Sequence, residues 1–337
     1  PSGHAFEVQA GATLLGAALD AGFALPYGCR NGTCGACKGR VIEGRVDHGA
    51  AQEQALSSAE RASGHILPCC ARPLSDLVLE CREASGPRDI PVKTMPCRVD
   101  GMARVADDVM VLTLRLPVNE RLQFIAGQYI EFLLEDGRRR AFSMANAPHD
   151  DTFLELHIRR IPGGAFTGHV FEGMKERDIL RFEGPRGSFG LREDSDKPIL
   201  LLAGGTGFAP IKSIVEHTIH DQIRRPMTLY RGARDRAGLY LNHLPERWAA
   251  EHDHIRYVPV LSEPVVNDSW GGRVGLVHEA VLADFAGRLD ELGGHQVYAC
   301  GPPAMIEAAR RDLAAHGLPA WEFFADSFSF EPPPNEH

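Results

Sequence analysis

The hydrophobic positions change rhythm along the chain, and the changes divide it into three predicted segments. Between residues 95 and 159, short stretches of alternating apolar and polar residues predict β-strands separated by turns. From residue 198 onward, apolar runs of strand length alternate with stretches of helical spacing. The first pattern favours a small antiparallel barrel, and the second favours a parallel sheet covered by helices.

The pattern predicts individual elements in each segment. Near the amino terminus it predicts a strand at 4–8, a helix at 13–21, and strands at 39–46 and 77–81. In the barrel it predicts strands at 95–105, 109–116, 128–134, 140–144 and 154–159. In the last segment it predicts strands at 199–203, 227–231, 255–261 and 296–300, with helices at 210–220, 241–251, 277–285 and 304–316.

Two breaks in composition separate the segments. Residues 83–91 contain two prolines and a glycine, which is typical of a linker, and charged residues at 193–197 precede the change of rhythm. We therefore predict a multidomain chain with a small β-grasp domain at 1–86, an antiparallel β-barrel at 92–195 and an α/β domain at 196–337. A β-grasp fold usually begins with a hairpin, whose first strand has no counterpart in this sequence.

Four cysteines in the first domain have the spacing of a plant-type 2Fe-2S cluster. Three lie in one short loop with the pattern C-x4-C-x2-C and the fourth is distant: Cys29, Cys34, Cys37 and Cys69. Gly28, Gly32 and Gly35 allow positive φ, so that the loop can wrap a cluster and direct amide groups at its sulfurs. The spacing therefore predicts an electron carrier.

A zinc site and a disulfide framework are the two alternative uses of these cysteines. A structural zinc site usually draws on paired C-x2-C units, and this quartet has only one short pair. A disulfide framework is unusual in a long chain without a signal peptide. Cys70 follows Cys69 directly and is the alternative fourth ligand.

Charge and hydropathy exclude some partners. The net charge of −9 disfavours nucleic acid or an anionic membrane surface. The longest apolar run, residues 199–203, is far too short to span a bilayer, and the sequence shows no targeting segment. Together with free thiolates, this predicts a cytoplasmic protein.

Two motifs in the barrel segment suit a flavin nucleotide. Residues 140–143 read Arg-Ala-Phe-Ser, which offers a guanidinium for pyrophosphate, an aromatic for a ring face and a hydroxyl for a ring nitrogen. Residues 163–167 place two glycines before a predicted helix at 167–172, whose amino terminus suits a phosphate. The alternatives are a solvated Arg140 beside a buried Phe142, and a plain strand-to-helix turn capped by Thr167.

Two motifs in the last segment suit a nicotinamide dinucleotide. A glycine loop at 204–207 follows an apolar strand and opens a helix, but Pro210 stands where a Rossmann fingerprint has glycine or alanine. We therefore expect a related open sheet. Cys300, Gly301 and Pro302 follow the last predicted strand, where ligands bind in such sheets, although a lone cysteine is more often a small core residue.

In their order along the chain, these motifs resemble the ferredoxin-NADP reductase superfamily. The similarity covers nearly the whole chain and is to reductase components with an amino-terminal 2Fe-2S ferredoxin domain. They include reductases of aromatic-ring dioxygenases and phenol hydroxylases and the CDP-6-deoxy-3,4-glucoseen reductases. The resemblance implies FAD and NAD(P)H as further cofactors, and it places the fourth cluster ligand at Cys69.

The resemblance also implies roles for single residues. Arg140 would hold the FAD phosphates, Phe142 would pack on the flavin in place of the family's tyrosine, and Ser143 would approach N5, with Ala141 between them. Further residues match four family motifs: the strand along the flavin, the phosphate turn, the dinucleotide loop and the motif beside the nicotinamide. In chain order they are His157, Ile158, Arg159, Gly163, Gly164, Ala165, Phe166, Thr167, Gly205, Thr206, Gly207, Cys300, Gly301 and Pro302. The aromatic residue that shields the flavin would be Phe328 or Phe330, although both also suit a core.

The nucleotide preference stays open in the sequence. Arg234 suits a 2′-phosphate and Asp235 suits a ribose hydroxyl, and we expect NADH because oxygenase reductases commonly use it. The predicted enzyme is a reductase in which Ser143 and Cys300 orient flavin and nicotinamide, and the electron acceptor is a terminal oxygenase. The alternatives are the partner of a deoxysugar dehydratase and a docked redox-sensing subunit.

Two further expectations concern the surface. The acceptor would dock near Cys34, where the cluster loop is expected to be exposed, with Arg30, Lys38 and Arg40 either steering it or only keeping the protein soluble. Asp326 could relay a proton to the flavin, although a surface carboxylate is the more common case.

Overall fold

The computed structural model describes residues 3–23, 25–81, 90–265 and 269–328. Most of the predicted linker, residues 82–89, lies outside these ranges, as does Phe330. The domain boundaries at 86, 92 and 195 stay predictions.

The first domain is a small sheet unit with one main helix. Its elements are α1 (Leu14–Asp20), β1 (Gly39–Glu43), β2 (Val46–Asp47), α2 (Ser58–Ala62), β3 (His65–Ile66), β4 (Arg72–Pro73) and β5 (Val78–Glu80). The Thr13 side chain caps α1 by accepting from the amide of Gly16. The antiparallel sheet has the order β3-β1-β5, and β2 pairs with β4.

The predicted strand at 4–8 is wrong. Residues 4–8 form no strand, and instead Phe6 and Val8 pack against the core without a ladder partner. An alternating pattern therefore marks their burial correctly but does not supply the neighbouring strand that a ladder needs.

The second domain is a six-stranded antiparallel barrel. Its elements are β6 (Lys93–Ala106), β7 (Val109–Arg115), β8 (Tyr129–Leu133), β9 (Arg139–Ser143), β10 (Phe153–Arg159), α3 (Ala165–Glu172) and β11 (Ile179–Arg186). The order is β10-β7-β6-β11-β8-β9, and a bridge between Met144 and Leu156 brings the two edges together. The unpredicted β11 contains Gly184 and Pro185, a pair that reads as a turn in the sequence.

The third domain is a parallel sheet with helices on both faces. Its elements are β12 (Ile199–Gly204), α4 (Phe208–His220), β13 (Met227–Ala233), α5 (His243–Glu251), β14 (Ile255–Leu261), β15 (Arg273–Val274), α6 (Val277–Asp284), β16 (Gln296–Gly301), α7 (Pro303–Ala315) and β17 (Phe323–Ser327). The order is β15-β14-β13-β12-β16-β17, with every pair parallel. Each face of the sheet carries its own hydrophobic core.

The barrel and the α/β domain share part of one core. Val109, Ala126 and Phe189 of the barrel segment pack in the same buried cluster as Phe208 and Ile211 of α4. This shared packing holds the barrel against the α/β domain. In the described ranges, no helix is long and apolar enough to cross a membrane.

Candidate functional site

The cysteine loop has the geometry of a cluster cradle. The amide of Cys29 donates to Cys34 Sγ at 3.4 Å, and the amide of Thr33 donates to Cys29 Sγ at the same distance. Gly32 and Gly35 have φ of 81° and 70°, as predicted, whereas Gly28 does not have a positive φ. Gly28 is needed for space, because a Cβ there would lie 3.3 Å from both Asp326 Oδ1 and Cys34 Sγ.

The four predicted ligands approach one another as two pairs. Cys29 interacts with Cys34, and the side chain of Cys37 interacts with that of Cys69. The hydrogen bond from Cys34 lowers the pKa of the Cys29 thiol to about 5, despite its burial. Four cysteine side chains that approach one another as two pairs suit a cluster of two irons. The donor set therefore fits a 2Fe-2S cluster.

Cys70 lies beside this set. Its Sγ is 3.7 Å from Cys69 Sγ and packs against Gly32, while Cys69 is the member of the pair that faces Cys37. This arrangement supports the prediction that Cys69 is the fourth ligand. All eight cysteines are free thiols in the structure.

The cluster loop is exposed at Arg30 and Asn31, whereas Cys34 itself is buried with its Sγ close to Gly28. Docking of an acceptor at this loop stays a prediction. Of the three basic residues proposed to steer an acceptor, Lys38 forms an ion pair with Glu60 at 2.6 Å and Arg40 donates to the carbonyl of Ser63. Arg30 is exposed beside the ring of Tyr27.

One cavity of about 570 Å³ lies where the three domains meet. That volume is in the range of sites for cofactors and drug-sized ligands, roughly 300 to 1,000 Å³. All three domains contribute to its wall. The lining residues, in chain order, are Gly28, Cys29, Asn31, Tyr129, Glu131, Gly137, Arg138, Arg139, Arg140, Ala141, Phe142, Ser143, His157, Arg159, Ile161, Gly164, Ala165, Phe166, Thr167, Thr206, Ala209, Asp326, Ser327 and Phe328. The cavity therefore joins the cluster loop to most of the predicted flavin residues.

The predicted flavin strand forms one side of this cavity. Arg140, Ala141, Phe142 and Ser143 all line it, and the Phe142 ring packs 5.5 Å from that of Phe166. Arg140 is half-buried at the mouth, which suits a phosphate better than a fully solvated arginine would. The wall combines an aromatic face, a hydroxyl and a guanidinium, so it fits a flavin nucleotide.

The neighbouring strand β10 contributes alternate residues. His157 and Arg159 line the cavity, whereas the side chain of Ile158 is fully buried in the barrel core. Since successive side chains in a strand point to opposite faces, only the backbone of Ile158 could contact a ligand on this side.

The phosphate turn meets the cavity at the start of α3. The helix begins at Ala165, not at the predicted Thr167, and Gly164 is its N-cap. The Thr167 hydroxyl accepts from the amide of Ile161 and so braces the turn instead of capping the helix. Gly164 to Thr167 line the cavity and Gly163 does not, so the amino-terminal end of α3 faces this side.

The dinucleotide motifs form a tightly packed base next to the cavity. Thr206 lines it, while Gly205, Gly207, Cys300, Gly301 and Pro302 do not. A Cβ on Gly207 would lie 2.1 Å from the carbonyl oxygen of Cys300, and one on Gly205 would lie 2.7 Å from Arg159 Nη1. Gly207 therefore lets the loop pack directly on the end of β16, and Gly205 leaves room for the side chain of Arg159 on β10. Cys300 is fully buried, and burial raises the pKa of its thiol well above the usual value.

Asp326 is buried, contrary to the expectation of a surface carboxylate. It lies on β17, opposite Cys300 in the sheet register, and Ser143 Oγ donates to its Oδ2 at 3.5 Å. Burial and the neighbouring Cys29 raise the pKa of Asp326 to about 7. The unpredicted strand β17 is thus what brings this carboxyl, Ser327 and Phe328 into the cavity wall.

His157 takes part in a polar network. Its Nε2 is 3.0 Å from Glu155 Oε1 and its Nδ1 is 3.0 Å from the hydroxyl of Tyr240, while Lys212 Nζ is 3.2 Å from the same Glu155 oxygen. Burial alone would raise the pKa of Glu155, but the contacts with His157 and Lys212 lower it to about 2. Glu155 and His157 belong to the barrel and Lys212 and Tyr240 to the α/β domain, so the network joins the two domains.

Arg234 lies apart from the cavity. It follows β13, and its carbonyl accepts from the amide of Glu263. Asp235 Oδ1 accepts from the amide of Gly238 at 2.9 Å and so stabilises its own turn.

Sequence reasoning missed several residues of the wall. Tyr129, Arg139 and Ser327 line the cavity without having been assigned a role there. Tyr129 could have been found, because it is paired with Ser143 in the hairpin formed by β8 and β9. The contribution of β17 depends on which strand it joins, and no local pattern shows that.

Comparison with known proteins gives the same three units. The 2Fe-2S iron–sulfur cluster binding domain family matches residues 1–74, the oxidoreductase FAD-binding domain family matches residues 96–190, and the oxidoreductase NAD-binding domain family matches residues 201–311. These matches cover all three predicted cofactors.

Relatives match over nearly the full length. The chain is 42% identical to a CDP-6-deoxy-L-threo-D-glycero-4-hexulose-3-dehydrase reductase of Yersinia pseudotuberculosis, over 97% of this chain and 96% of the relative. It is 38% identical to the reductase component of a phenol 2-monooxygenase of a Pseudomonas species, over 97% and 92%. Among solved structures, an Amycolatopsis cytochrome P450 reductase aligns with a TM-score of 0.76 at 37% identity, over 97% of each chain.

Proposed function

The chain belongs to the iron–sulfur flavoprotein reductases, and from this membership we propose that it oxidises NADH and passes electrons singly to a terminal oxygenase. It is an oxidoreductase with binding domains for a 2Fe-2S cluster, FAD and a nicotinamide dinucleotide. The acceptor and the choice of NADH are the proposed parts.

One observation carries the proposal. A single cavity is lined by Cys29 of the cluster loop, by Ser143 and Phe142 of the barrel, and by Thr206 of the dinucleotide loop. A ligand in this cavity therefore contacts both a candidate cluster ligand and the domain that binds the nicotinamide. That placement suits an intermediary that accepts electrons from one side and delivers them to the other.

The chemistry belongs to the cofactors: FAD accepts a hydride and releases electrons one at a time, and a 2Fe-2S cluster carries one electron. The protein supplies the residues that hold and orient these cofactors. Arg140 and the amino-terminal end of α3 would hold the pyrophosphate, and Phe142 would cover one ring face. Ser143 would donate to a ring nitrogen, and Phe328 would shield the ring.

Cys300 and the glycine loop would orient the nicotinamide through the shape of the surface that they form. Because Gly207 packs on the carbonyl of Cys300, the loop and the end of β16 form one rigid surface beside the cavity. A rigid surface can orient the nicotinamide toward the flavin, as near-attack geometry requires. The side chain of Cys300 is fully buried and would act only by supporting this surface.

The test separates the two halves of the electron path. Cys34→Ser should retain NADH-driven reduction of ferricyanide, which can take electrons from the flavin, and should lose reduction of cytochrome c. Cys70→Ser is the matched control and should retain both activities. Iron and acid-labile sulfide are measured in each preparation, so that a misfolded variant is recognised. Equal loss of both activities in a folded Cys34→Ser protein, or retention of both, would refute the path through the cluster.

A second acceptor class is favoured by one observation. The 42% identity to a dehydrase reductase over 97% of the chain supports a deoxysugar dehydratase as the acceptor. NADH oxidation coupled to each purified acceptor, an aromatic oxygenase or a dehydratase with its sugar nucleotide, distinguishes the two. Rapid reduction of cytochrome c would exclude the third possibility, a redox-sensing subunit that does not turn over.

We also propose that the protein works in the cytoplasm. The proposal is supported by the free thiols, which a reducing compartment preserves for cluster binding. Fractionation of cells that express the full-length protein tests it.

A further inference from the structure

The two residues before Cys29 are bonded to the barrel through their main chain. The amide of Tyr27 donates to Ser188 Oγ at 2.8 Å, and the amide of Ser188 donates to the carbonyl of Tyr27 at 3.2 Å. Ser188 Oγ also lies 3.1 Å from that carbonyl. One residue later, the hydroxyl of Tyr129 donates to the carbonyl of Gly28 at 2.8 Å. Consecutive residues of the cluster segment are therefore held by two side chains of the flavin barrel.

Tyr129 is fixed in the position that this contact needs. It is buried, it pairs with Ser143 across β8 and β9, and its ring packs on Gly187, where a Cβ would lie 2.9 Å from two ring atoms. Gly187 has φ of 90°, so the chain turns sharply under the ring and presents the next residue, Ser188, to Tyr27. Burial raises the pKa of Tyr129 well above its usual value, so its hydroxyl remains a donor.

The same contact lies between the two cofactor sites. Tyr129 lines the cavity, and its acceptor Gly28 is bonded to Cys29, a predicted cluster ligand. Gly28 also lies against Cys34, whose Sγ would be 3.3 Å from a Cβ at that position. The hydrogen bond thus spans the short distance between the flavin wall and the first pair of thiolates.

We propose that Tyr129 and Ser188 form an interdomain clamp that holds the cluster loop against the flavin cavity and so sets the rate of electron transfer from flavin to cluster. The proposal rests on the function proposed above. In each transfer, reduced FAD loses one electron and the oxidised cluster gains it, and NADH replaces two electrons as hydride. No bond to the clamp forms or breaks, so both residues act by positioning.

The clamp controls the distance between the flavin and the cluster. Electron transfer between two bound cofactors weakens steeply with distance, and here the two cofactors are held by different domains. Loss of one hydrogen bond should lower the equilibrium constant for the closed arrangement roughly fivefold, and so slow cluster reduction by up to that factor. Loss of both should lower the constant further.

Ser188→Ala is the first test, because Ser188 does not line the cavity. In single-turnover mixing of the holoenzyme with NADH, it should leave flavin reduction unchanged and slow cluster reduction about fivefold. Tyr129→Phe should slow cluster reduction by a similar factor relative to flavin reduction, and the double variant should be slower than either. Tyr27→Phe is the matched control, since it removes a hydroxyl from the same segment and keeps the main-chain bonds.

Two further readouts do not depend on turnover. Hydrogen exchange of the peptide covering residues 25–33 should be faster in Ser188→Ala and Tyr129→Phe than in Tyr27→Phe, because the amide of Tyr27 and the loop lose partners. The midpoint potentials of flavin and cluster should be unchanged, which excludes an altered driving force.

The clamp is refuted if cluster reduction or exchange in both variants matches Tyr27→Phe, or if the slower transfer is accounted for by a changed potential. A wild-type protein that binds both cofactors but never reduces its cluster with NADH would instead refute the proposed function. The two failures are therefore distinguishable in one set of experiments.

Discussion

Replacing Glu155 by glutamine tests the network that joins the barrel to the α/β domain. The pKa of Glu155 falls from 4.5 to about 2 in the folded protein, where only 18% of its side chain is exposed. At about 1.4 kcal/mol per pKa unit, this corresponds to roughly 3 kcal/mol of stabilisation by its partners. Glu155→Gln removes the charge that pairs with His157 and Lys212, and a loss of this size lowers the unfolding midpoint by roughly 6 to 12 °C.

The loss should depend on pH in a definite direction. Because the folded-state pKa lies below the unfolded value, Glu155 contributes fully above pH 4.5 and loses its contribution as the pH falls from about 4.5 toward about 2. The midpoints of wild type and Glu155→Gln should therefore differ most at pH 7 and converge below about pH 4.5. Thermal unfolding followed by circular dichroism at pH 7, 5, 4 and 3, at one scan rate, measures this.

The matched control is Glu193→Gln. Glu193 also pairs with a histidine, His217, at 2.9 Å, but 56% of its side chain is exposed. Exposed pairs are worth about 0 to 1 kcal/mol, so this variant should shift the midpoint by only a few degrees or less. Equal shifts in Glu155→Gln and Glu193→Gln, or a Glu155→Gln shift that does not vary with pH, would contradict the reasoning.

Three other outcomes are expected. Ser143→Ala should slow NADH-driven flavin reduction by roughly tenfold or more, since one hydrogen bond to the flavin is lost, and rapid mixing measures this. Gly205→Ala should lower stability by roughly 1 to 3 kcal/mol and raise the KM for NADH, because its φ of 55° is strained for alanine and the new Cβ would meet Arg159; an unchanged KM would contradict this. Cys69→Ser should lose iron and sulfide, whereas Cys70→Ser should retain both, and the reverse result would exchange their roles.

Local signals predicted most of the fold. Strict alternation from residue 95 to residue 159 gave five barrel strands within one or two residues of the observed bounds, because each faces a core on one side and solvent on the other. The buried parallel strands β12, β13, β14 and β16 were equally clear as apolar runs. Where the pattern failed, at β11 and β17, pairing with distant strands decides the structure instead of local preference.

The candidate site was predictable where a motif has its own chemistry. The cysteine spacing identified residues that lie in one loop, and the Arg140 to Ser143 stretch identified residues that lie on one wall of the cavity. The burial of Asp326 and the inward direction of Cys34 could not be read from the sequence, since both depend on how the cluster loop packs on the barrel and on β17. Contacts between domains are set by folded surfaces, for which the sequence has no short signature.

The cavity wall begins at Gly28 and ends at Phe328, so its parts lie far apart along the polypeptide. During synthesis the iron-binding loop leaves the ribosome before the other parts of the wall, and the last strand of the wall, β17, leaves it after them. The cysteine loop can thus bind its cluster while translation continues, but the flavin pocket is complete only once β17 has emerged. Flavin loading is consequently a late step of biogenesis, and carboxy-terminal truncations short of β17 should accumulate as brown, flavin-poor protein.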